Sequence, residues 1–387
     1  MRILVITDYL RTPSFNGSEI FCTELIRALQ RQHEIDVIAR RPGKGVLGPE
    51  VTFVIETEIF ADSERLGEFL AAHIDLSAYD LIYNLGALTF GCAVVSQLPP
   101  LSRQVPLVNH FQALLGPYAR FEKLNKAEQL ASGASQIEAA GRAALNIFIS
   151  QSEFRLALQF GFKLDKSLVS VIPNGLPAEH FAAIQPDGSF FDNALANSKE
   201  RPIVITTAGR FSDYVKGADL VYRAFAQLYQ ERKDVFLISI GNSDRFAYLL
   251  RELPSDSYRV SDWLPRAEFL RVLALSDFLV LPSRYEPFGL IALEAMFLGV
   301  PVIANAVGGL AESIHHEKFG LLNAPKNGSL GLFLAMKQLA AVREQLKKIG
   351  SRGQAYVQKE YSLERICDLV ERDFRRVVLA EQALAGC

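Results

Sequence analysis

Cysteine is scarce in this 387-residue chain, and Cys22, Cys92, Cys367 and Cys387 form no C-x-x-C pair. Disulfide scaffolds and zinc frameworks need paired spacing, so neither is expected, and reduced thiols in a cytoplasmic protein fit better. Charge of one sign is also missing. Lys and Arg number 41 against 43 acids, a formal net charge of -2, so no global basic field exists to draw in nucleic acid or an acidic membrane. Uninterrupted apolar runs are short. The longest apolar stretch, 289–311, contains Glu294, Pro301, Asn305 and Gly308-Gly309, which argues against a transmembrane segment. The opening run Met1–Ile6 meets Asp8 before an apolar region of signal-peptide length develops, and it reads as a first buried strand. No Walker, G-x-S-x-G, H-E-x-x-H or D-x-D segment occurs. The signatures of P-loop, nucleophile-elbow, zincin and acidic metal-chelating chemistry are therefore absent, and no metal is expected.

What is present is the composition of a folded protein, 49% apolar and 22% charged, in a chain longer than one hydrophobic core supports. The first forty residues predict a βαβ unit: Ile3–Ile6, then Phe21, Leu25, Ala28 and Leu29 at helical spacing, then Ile35–Ala39. Asn16 and Glu19 have the spacing of a capping box at the helix start. Further strands are expected at 51–55, 81–84, 107–109, 147–150 and 170–172. Near-continuous apolar strands of this kind suit a parallel sheet covered on both faces. The polar, proline-bearing stretch from Leu176 to Arg201 interrupts the pattern. The βα rhythm then restarts with strands at 203–207, 235–240, 278–281 and 301–304 and helices near 220–228, 265–275 and 290–298. The expected organisation is α/β, with two doubly wound parallel-sheet domains facing across a cleft. An N-terminal domain covers 1–178, a linker 179–200 and a C-terminal domain 201–362, and the last helix, 363–387, returns to the first domain.

One motif is a decoy. Gly43-Lys44-Gly45-Val46-Leu47-Gly48 satisfies G-x-G-x-x-G, but Pro49 and the strand-like 51–55 follow, so no helix N-terminus is available for a pyrophosphate. The informative segment is 282–295. It follows an apolar strand and carries Glu286, with Pro287 placed to occupy the first helical turn and Gly289 where the helix opens. The amides of Phe288, Gly289 and Leu290 would then form an anion site. Glu294 lies deeper in a helix that is apolar all round, which implies a buried carboxylate in need of partners rather than an exposed polar residue. Glu286 alone is equally an ordinary helix-capping acid. The two acids are at most ~12 Å apart along a helix, a spacing that lets one reach a sugar beside a diphosphate and the other a ribose diol. Gly209-Arg210 after strand 203–207 and Lys216-Gly217 at the next helix start supply two cations suited to a pyrophosphate, although surface cations of this kind are common.

Taken together, the E-x7-E segment Glu286–Glu294, Gly209-Arg210…Lys216-Gly217, Pro173-Asn174-Gly175, Gly299-Val300-Pro301-Val302 and Gly308-Gly309…Glu312 resemble the retaining glycosyltransferases of family four. The resemblance covers most of the C-terminal half, and in the N-terminal half it lies mainly in architecture. It implies the GT-B fold and transfer of a sugar from a nucleotide diphosphate donor with retention of configuration. It makes Arg210 and Lys216 the diphosphate cations, Glu286 the contact to donor sugar hydroxyls, and Glu294 the ribose contact. Gly17 matches a first-loop glycine that approaches the diphosphate, with Ser18 in place of the usual second glycine. His110 matches a histidine near the reacting sugar, whereas by itself it would read as a polar strand-end residue. The other histidines, including His315-His316, read as surface. Gly241-Asn242-Ser243 and Asp262 depart from the family pattern near the donor.

The resemblance implies a metal-independent transferase with no cofactor beyond its substrate. The expected donor is a UDP-sugar bound mainly in the C-terminal domain, and the acceptor, bound mainly in the N-terminal domain, is unidentified. A nucleotide-sugar epimerase on the same architecture and a non-catalytic sugar- or nucleotide-binding scaffold are the competing readings. The first lacks an evident acid/base pair. The second has no evident need for Arg210, Lys216, Glu286, Glu294 and His110 together. No nucleic-acid partner is expected. Peripheral membrane contact through 111–145, with Arg120, Lys123, Lys126 and Arg142 amid apolar residues, competes with a solvated helix face.

Overall fold

A computed structural model describes residues 1–8, 10–12, 17–40, 46–98, 105–121, 126–186, 201–211, 214–241 and 246–385. The chain divides into two compact units, Met1–Gly175 with Leu363–Cys387, and Leu176–Ser362. The first contributes β1 (Arg2–Thr7), β2 (Arg11–Thr12), β3 (Glu34–Arg40), β4 (Val46–Leu47), β5 (Phe53–Ile55), β6 (Leu81–Gly86), β7 (Leu107–Phe111), β8 (Leu145–Phe148) and β9 (Val169–Val171). Its main sheet has the order β5-β3-β1-β6-β7-β8-β9, and its pairings are parallel. The interior strands β6 and β7 are buried at every position. That burial explains their unbroken apolar runs: crossover helices cover both faces, so alternation has no solvent side to mark. Polar exceptions are paired. Asn84 donates to Asn109 at 2.9 Å and Asn109 donates to Asn146 at 3.1 Å, a ladder across β6, β7 and β8.

The last helix, Leu363–Ala385, packs in this unit, with Phe374 edge-on to Tyr83 at 4.8 Å. Gly175, the unit's last residue before the crossing, stands so close that an added Cβ would lie 2.9 Å from Leu363 Cα. Leu176 already belongs to the second unit, its amide donating to the Tyr361 carbonyl at 2.8 Å. The expected linker start at 179 is therefore too late. Glu179–Ala182 is a helical turn of the second unit, held by Phe181 stacked on Phe297 at 4.2 Å. Residues 187–200 of that linker lie outside the described residues.

The second unit contains β10 (Ile203–Ala208), β11 (Val235–Ile240), β12 (Tyr258–Ser261), β13 (Phe278–Leu281), β14 (Val302–Asn305) and β15 (Gly320–Asn323), in the order β12-β11-β10-β13-β14-β15, with parallel pairings. In both sheets the order reverses beside the first strand of the unit, between β1 and β6 and between β10 and β13. Ligands of parallel α/β sheets bind outside the strand C-termini at such reversals.

Several local expectations change. The strand expected at 147–150 is Leu145–Phe148, because Ser150 leaves the sheet to cap the helix Gln151–Gln159, accepting from the Glu153 amide at 3.1 Å. Short β12 and β15 carry no clear period-two or apolar signal and escaped the sequence pattern. Gly43–Gly45 and Asn16 lie outside the described residues. The chain after Gly45 enters β4, which pairs antiparallel with β2. In the segment 111–145, Arg142 serves the interior of the unit: it donates to the Val95 and Leu98 carbonyls, the latter at 2.8 Å, and so satisfies the C-terminus of the helix Thr89–Gln97. Lys123 lies outside the described residues. Among the described residues, no helix is long and apolar enough to cross a membrane.

Candidate active site

At the reversal of the second sheet, the loops after β10 and β13 are fastened together. Arg284 forms a two-pronged ion pair with Asp219 at 2.8 and 2.7 Å, donates to the Tyr214 carbonyl at 2.9 Å, and lies 3.8 Å above the Tyr214 ring. Its own amide donates to the Val215 carbonyl at 2.7 Å. From the far side, Asn305 on β14 donates to the carbonyls of Pro282 and Ser283 at 2.8 and 3.0 Å, and Asn323 on β15 donates to Asn305 at 2.8 Å. Gly217, at φ 71, opens the helix Ala218–Glu231, and a Cβ there would collide with the Pro282 carbonyl. These contacts fix where the next side chains stand.

Lys216 and Glu286 are brought together. Lys216 Nζ donates to Glu286 Oε2 at 2.8 Å, joined by Ser283 Oγ at 3.3 Å, and both charged side chains are half-buried. Behind them the Gly309 amide donates to the Glu286 carbonyl at 3.1 Å, and a Cβ on Gly308 would strike that carbonyl. The glycine pair thus lets its helix close directly on the Glu286 backbone. Arg210, on the same β10 loop, is exposed. The helix that follows runs Leu290–Phe297, with Gly289 at its N-cap in the left-handed region, φ 95. Pro287 consequently precedes the helix rather than occupying its first turn. Leu290 is the first helical residue, and its amide is among those that a helix N-terminus leaves without intrahelical acceptors.

Glu294 is 2% exposed. Its Oε1 pairs with Arg266 at 2.7 Å, while its Oε2 and the Nε and Nη2 of Arg266 are buried without hydrogen-bond partners. Burial pushes this carboxyl above its ordinary range, and the nearby Arg266 and His180 offset part of that shift. The partner that a buried acid requires is therefore Arg266, the first residue of the helix Arg266–Leu275. Sequence reading missed it because an arginine after a proline carries no signal of its own. Arg284, Asp219 and Asn305 were missed for the same reason: each acts through contacts between loops that are remote in sequence.

The first unit holds Gly17 and His110. Gly17 starts the helix Gly17–Leu29. His110 lies inside β7, fully buried, with Nδ1 at 2.6 Å from the Tyr83 hydroxyl and its ring edge-on to Phe21. Burial lowers its pKa to about 3, so it is neutral, and burial raises the Tyr83 phenol well above its usual range, so it keeps its proton. Tyr83 and Nδ1 share this one hydrogen bond, and the Ile172 backbone also bonds to the ring. A neutral, fully buried imidazole of this kind is not set up as a base. His316 is exposed, but His315 is half-buried between Phe319 and Tyr356, at 5.1 and 4.8 Å, which corrects its reading as a surface residue. Among the described residues, no three metal-ligating side chains converge.

Comparison with known proteins bears on this arrangement directly. Residues 15–180 match the profile of Glycosyltransferase Family 4, and residues 191–355 match that of Glycosyl transferases group 1. The chain belongs to the GT-B glycosyltransferases. Over 128 residues it is 38% identical to a glycosyltransferase of Methanocaldococcus jannaschii, a match covering 32% of each chain. Over 177 residues it is 29% identical to a glycogen synthase of Mycobacterium tuberculosis, covering 44% of this chain and 39% of the relative. These matches thus span well under half of those relatives' own lengths. An alpha-maltose-1-phosphate synthase of Mycolicibacterium smegmatis matches at 25% identity over 97% of this chain and 100% of its own length. Among solved structures, a sucrose-phosphate synthase from Thermosynechococcus elongatus superposes with a TM-score of 0.78 at 21% identity, covering 98% of this chain and 100% of the other. HepE of Anabaena in complex with UDP and glucose does so with 0.75 at 19% identity, covering 97% and 99%. At these identities the superpositions establish the shared fold.

Proposed function

We propose that this GT-B protein is a retaining, metal-independent transferase that moves a sugar from a nucleotide diphosphate donor to an acceptor hydroxyl. The observation that carries the reading is the Lys216–Glu286 pair, held on interlocked loops at the sheet reversal and followed in the same segment by the buried Glu294. In this reading a diphosphate takes Lys216 from Glu286. Its charge is met by Lys216, Arg210 and the amides of Phe288, Gly289 and Leu290, so compensation needs no cation from solution. The resemblance assigns Gly17 to the diphosphate as well. Glu286, released from Lys216, accepts bonds from donor sugar hydroxyls, and Glu294 accepts from the ribose diol. The resemblance also assigns His110 a role at the reacting sugar. No carboxylate in this set is free to act as the opposed general base that inversion requires, so the departing diphosphate takes the acceptor proton on the face it leaves. HepE holds UDP-glucose, and UDP is accordingly the proposed nucleotide. Buried, unpaired Cys22, Cys92 and Cys367 fit a reducing compartment and hence the cytoplasm.

The test is a thermal-shift screen of UDP-, GDP-, ADP- and TDP-sugars. A ligand at ~100 times its Kd adds ~2.7 kcal/mol of stability. An NMR time course of the first-formed anomer, run with and without EDTA, then reads the chemistry. Stabilisation by a UDP-sugar and a retained anomer formed under EDTA are expected. An inverted product, or turnover that EDTA abolishes and magnesium restores, would overturn the mechanism.

A further inference from the structure

The three amides assigned to the diphosphate do not share one support. Leu290 begins the helix Leu290–Phe297, but Phe288 and Gly289 precede it, and Gly289 at φ 95 lies where glycine restrains the chain least. The direction of the amides at 288 and 289 is therefore set by what packs on the loop rather than by a helical backbone. One support is the short helix Gly308–Ser313. An added Cβ on Gly309 would stand 2.5 Å from Phe288 Cα, and one on Gly289 would stand 2.5 Å from Leu310 Cδ2. The second support is an aromatic ring. Phe288 is 5% exposed, and its ring meets that of Tyr361 with centroids 6.1 Å apart and planes at 56°, inside the ~4.5–7 Å range of attractive aromatic pairs.

Tyr361 is itself held at three points. Its amide donates to the Val357 carbonyl at 2.9 Å, at the end of the helix Arg343–Glu360, and its carbonyl accepts from the Leu176 amide at 2.8 Å. Its hydroxyl bonds to Tyr356, whose own hydroxyl lies 3.3 Å from His315 Nε2 and whose ring stacks on Phe319 at 4.6 Å. Burial pushes the Tyr361 phenol well above its usual range, so it keeps its proton. A ring fixed both at its backbone and at its hydroxyl presents a rigid surface to Phe288. We propose that Tyr361 is a positioning residue of the donor site: its ring holds Phe288, and through Phe288 the loop 286–290, in the arrangement that receives the diphosphate; the inference rests on the glycosyl-transfer reading. The hydroxyl places the ring and the ring places the loop, so substitution can separate the two.

Titration of the full chain with UDP and with uridine, followed by NMR, tests this, because the two ligands differ only in the diphosphate. Tyr361→Leu removes the ring and Tyr361→Phe keeps it. Tyr361→Leu should bind UDP roughly fivefold or more weakly, with uridine affinity within about twofold of wild type, and Tyr361→Phe should bring UDP affinity back to within about twofold. Phe288→Leu removes the other ring while its backbone amide stays, so it should show the same selective loss, and the double variant should lose no more than either alone. If Tyr361→Leu fails to fold, Phe288→Leu reads the same contact from its other end. A residue that only stabilised the fold would weaken both ligands alike or neither. Equal losses for UDP and uridine, unchanged UDP affinity in folded Leu variants, additive losses in the double variant, or a loss in Tyr361→Phe as large as in Tyr361→Leu overturns the proposal. The wild-type protein separates the two readings. If it binds UDP no better than uridine, the diphosphate site and the glycosyl-transfer reading beneath it fall, whereas an equal preference for UDP in wild type and Tyr361→Leu removes only the role of Tyr361.

Discussion

Replacing Glu294 by Gln keeps the shape of a buried side chain and removes the charge that faces Arg266 at 2.7 Å. If Glu294 accepts from the ribose diol, each lost charge-assisted hydrogen bond is worth ~1.5–3 kcal/mol, so UDP should bind roughly 10- to 150-fold more weakly. A plain stability defect would mimic part of this, and two further measurements separate them. The first uses 2′-deoxy-UDP. The wild-type protein should discriminate against it and Glu294→Gln should not, a coupling that only a direct contact produces. The second uses pH. Because burial raises the Glu294 carboxyl above its ordinary value of 4.5, the free protein still holds the proton where an exposed glutamate has lost it. Diol hydroxyls donate to the carboxylate, so binding expels that proton and affinity must rise with pH through the acid range, then level. Arg266→Met removes the cation that favours ionisation, so the midpoint of that rise should move to higher pH. Calorimetric titration of UDP between about pH 5 and pH 8 reads all of this. Wild-type affinity in folded Glu294→Gln, or equal discrimination against the deoxynucleotide in both proteins, refutes the ribose assignment.

Other perturbations probe the remaining parts. Lys216→Ala deletes the partner of Glu286 and a cation meant for two phosphates, so nucleotide affinity should fall roughly tenfold or more by titration. Glu286→Gln should instead lower turnover more than nucleotide affinity, since its proposed partner is the sugar, and equal losses in steady-state kinetics and binding would show the role is wrong. Tyr83→Phe removes the hydroxyl bonded to the buried Nδ1 of His110. It should cost ~1–3 kcal/mol in a urea melt and reduce turnover with UDP affinity unchanged, whereas unchanged kinetics would deny His110 its role at the sugar. Asp8 has its pKa raised from 3.8 to about 6 by burial, so the folded state binds its proton more tightly and stability falls as pH rises across that interval. Asp8→Asn, neutral throughout, should therefore gain up to ~3 kcal/mol above about pH 6 and nothing near pH 4; a gain independent of pH would contradict the burial argument.

The parallel cores were legible because burial on both faces writes itself into sequence. Ile203–Ala208 and Val235–Ile240 are apolar or small at nearly every position and buried at all of them, so pattern and structure coincide. Edge strands were not. Tyr258–Ser261 is largely half-exposed, and a sheet edge imposes too little on its side chains to leave a signature. The same contrast governs the candidate site. Glu294 announced itself through the apolar helix around it, since a lone acid among Leu293, Ala295 and Met296 has to be buried. Its partner Arg266 could not be read, because nothing in the stretch around Pro265 says which carboxylate the guanidinium will meet. Ion pairs between remote loops are set by topology, which strand order decides, and strand order is not periodic in the chain. Glycine bridges the two cases. Gly217, Gly289 and Gly308 all have positive φ, and all stand where one loop closes on another, so a glycine at a strand-to-helix turn marks a close approach even when the approaching residue is unknown. Asp8 is the harder case: a single acid after an apolar strand looks like the end of that strand, and only the fold brings the start of the helix Thr89–Gln97 to its carboxyl, where the Phe90 amide donates at 3.2 Å.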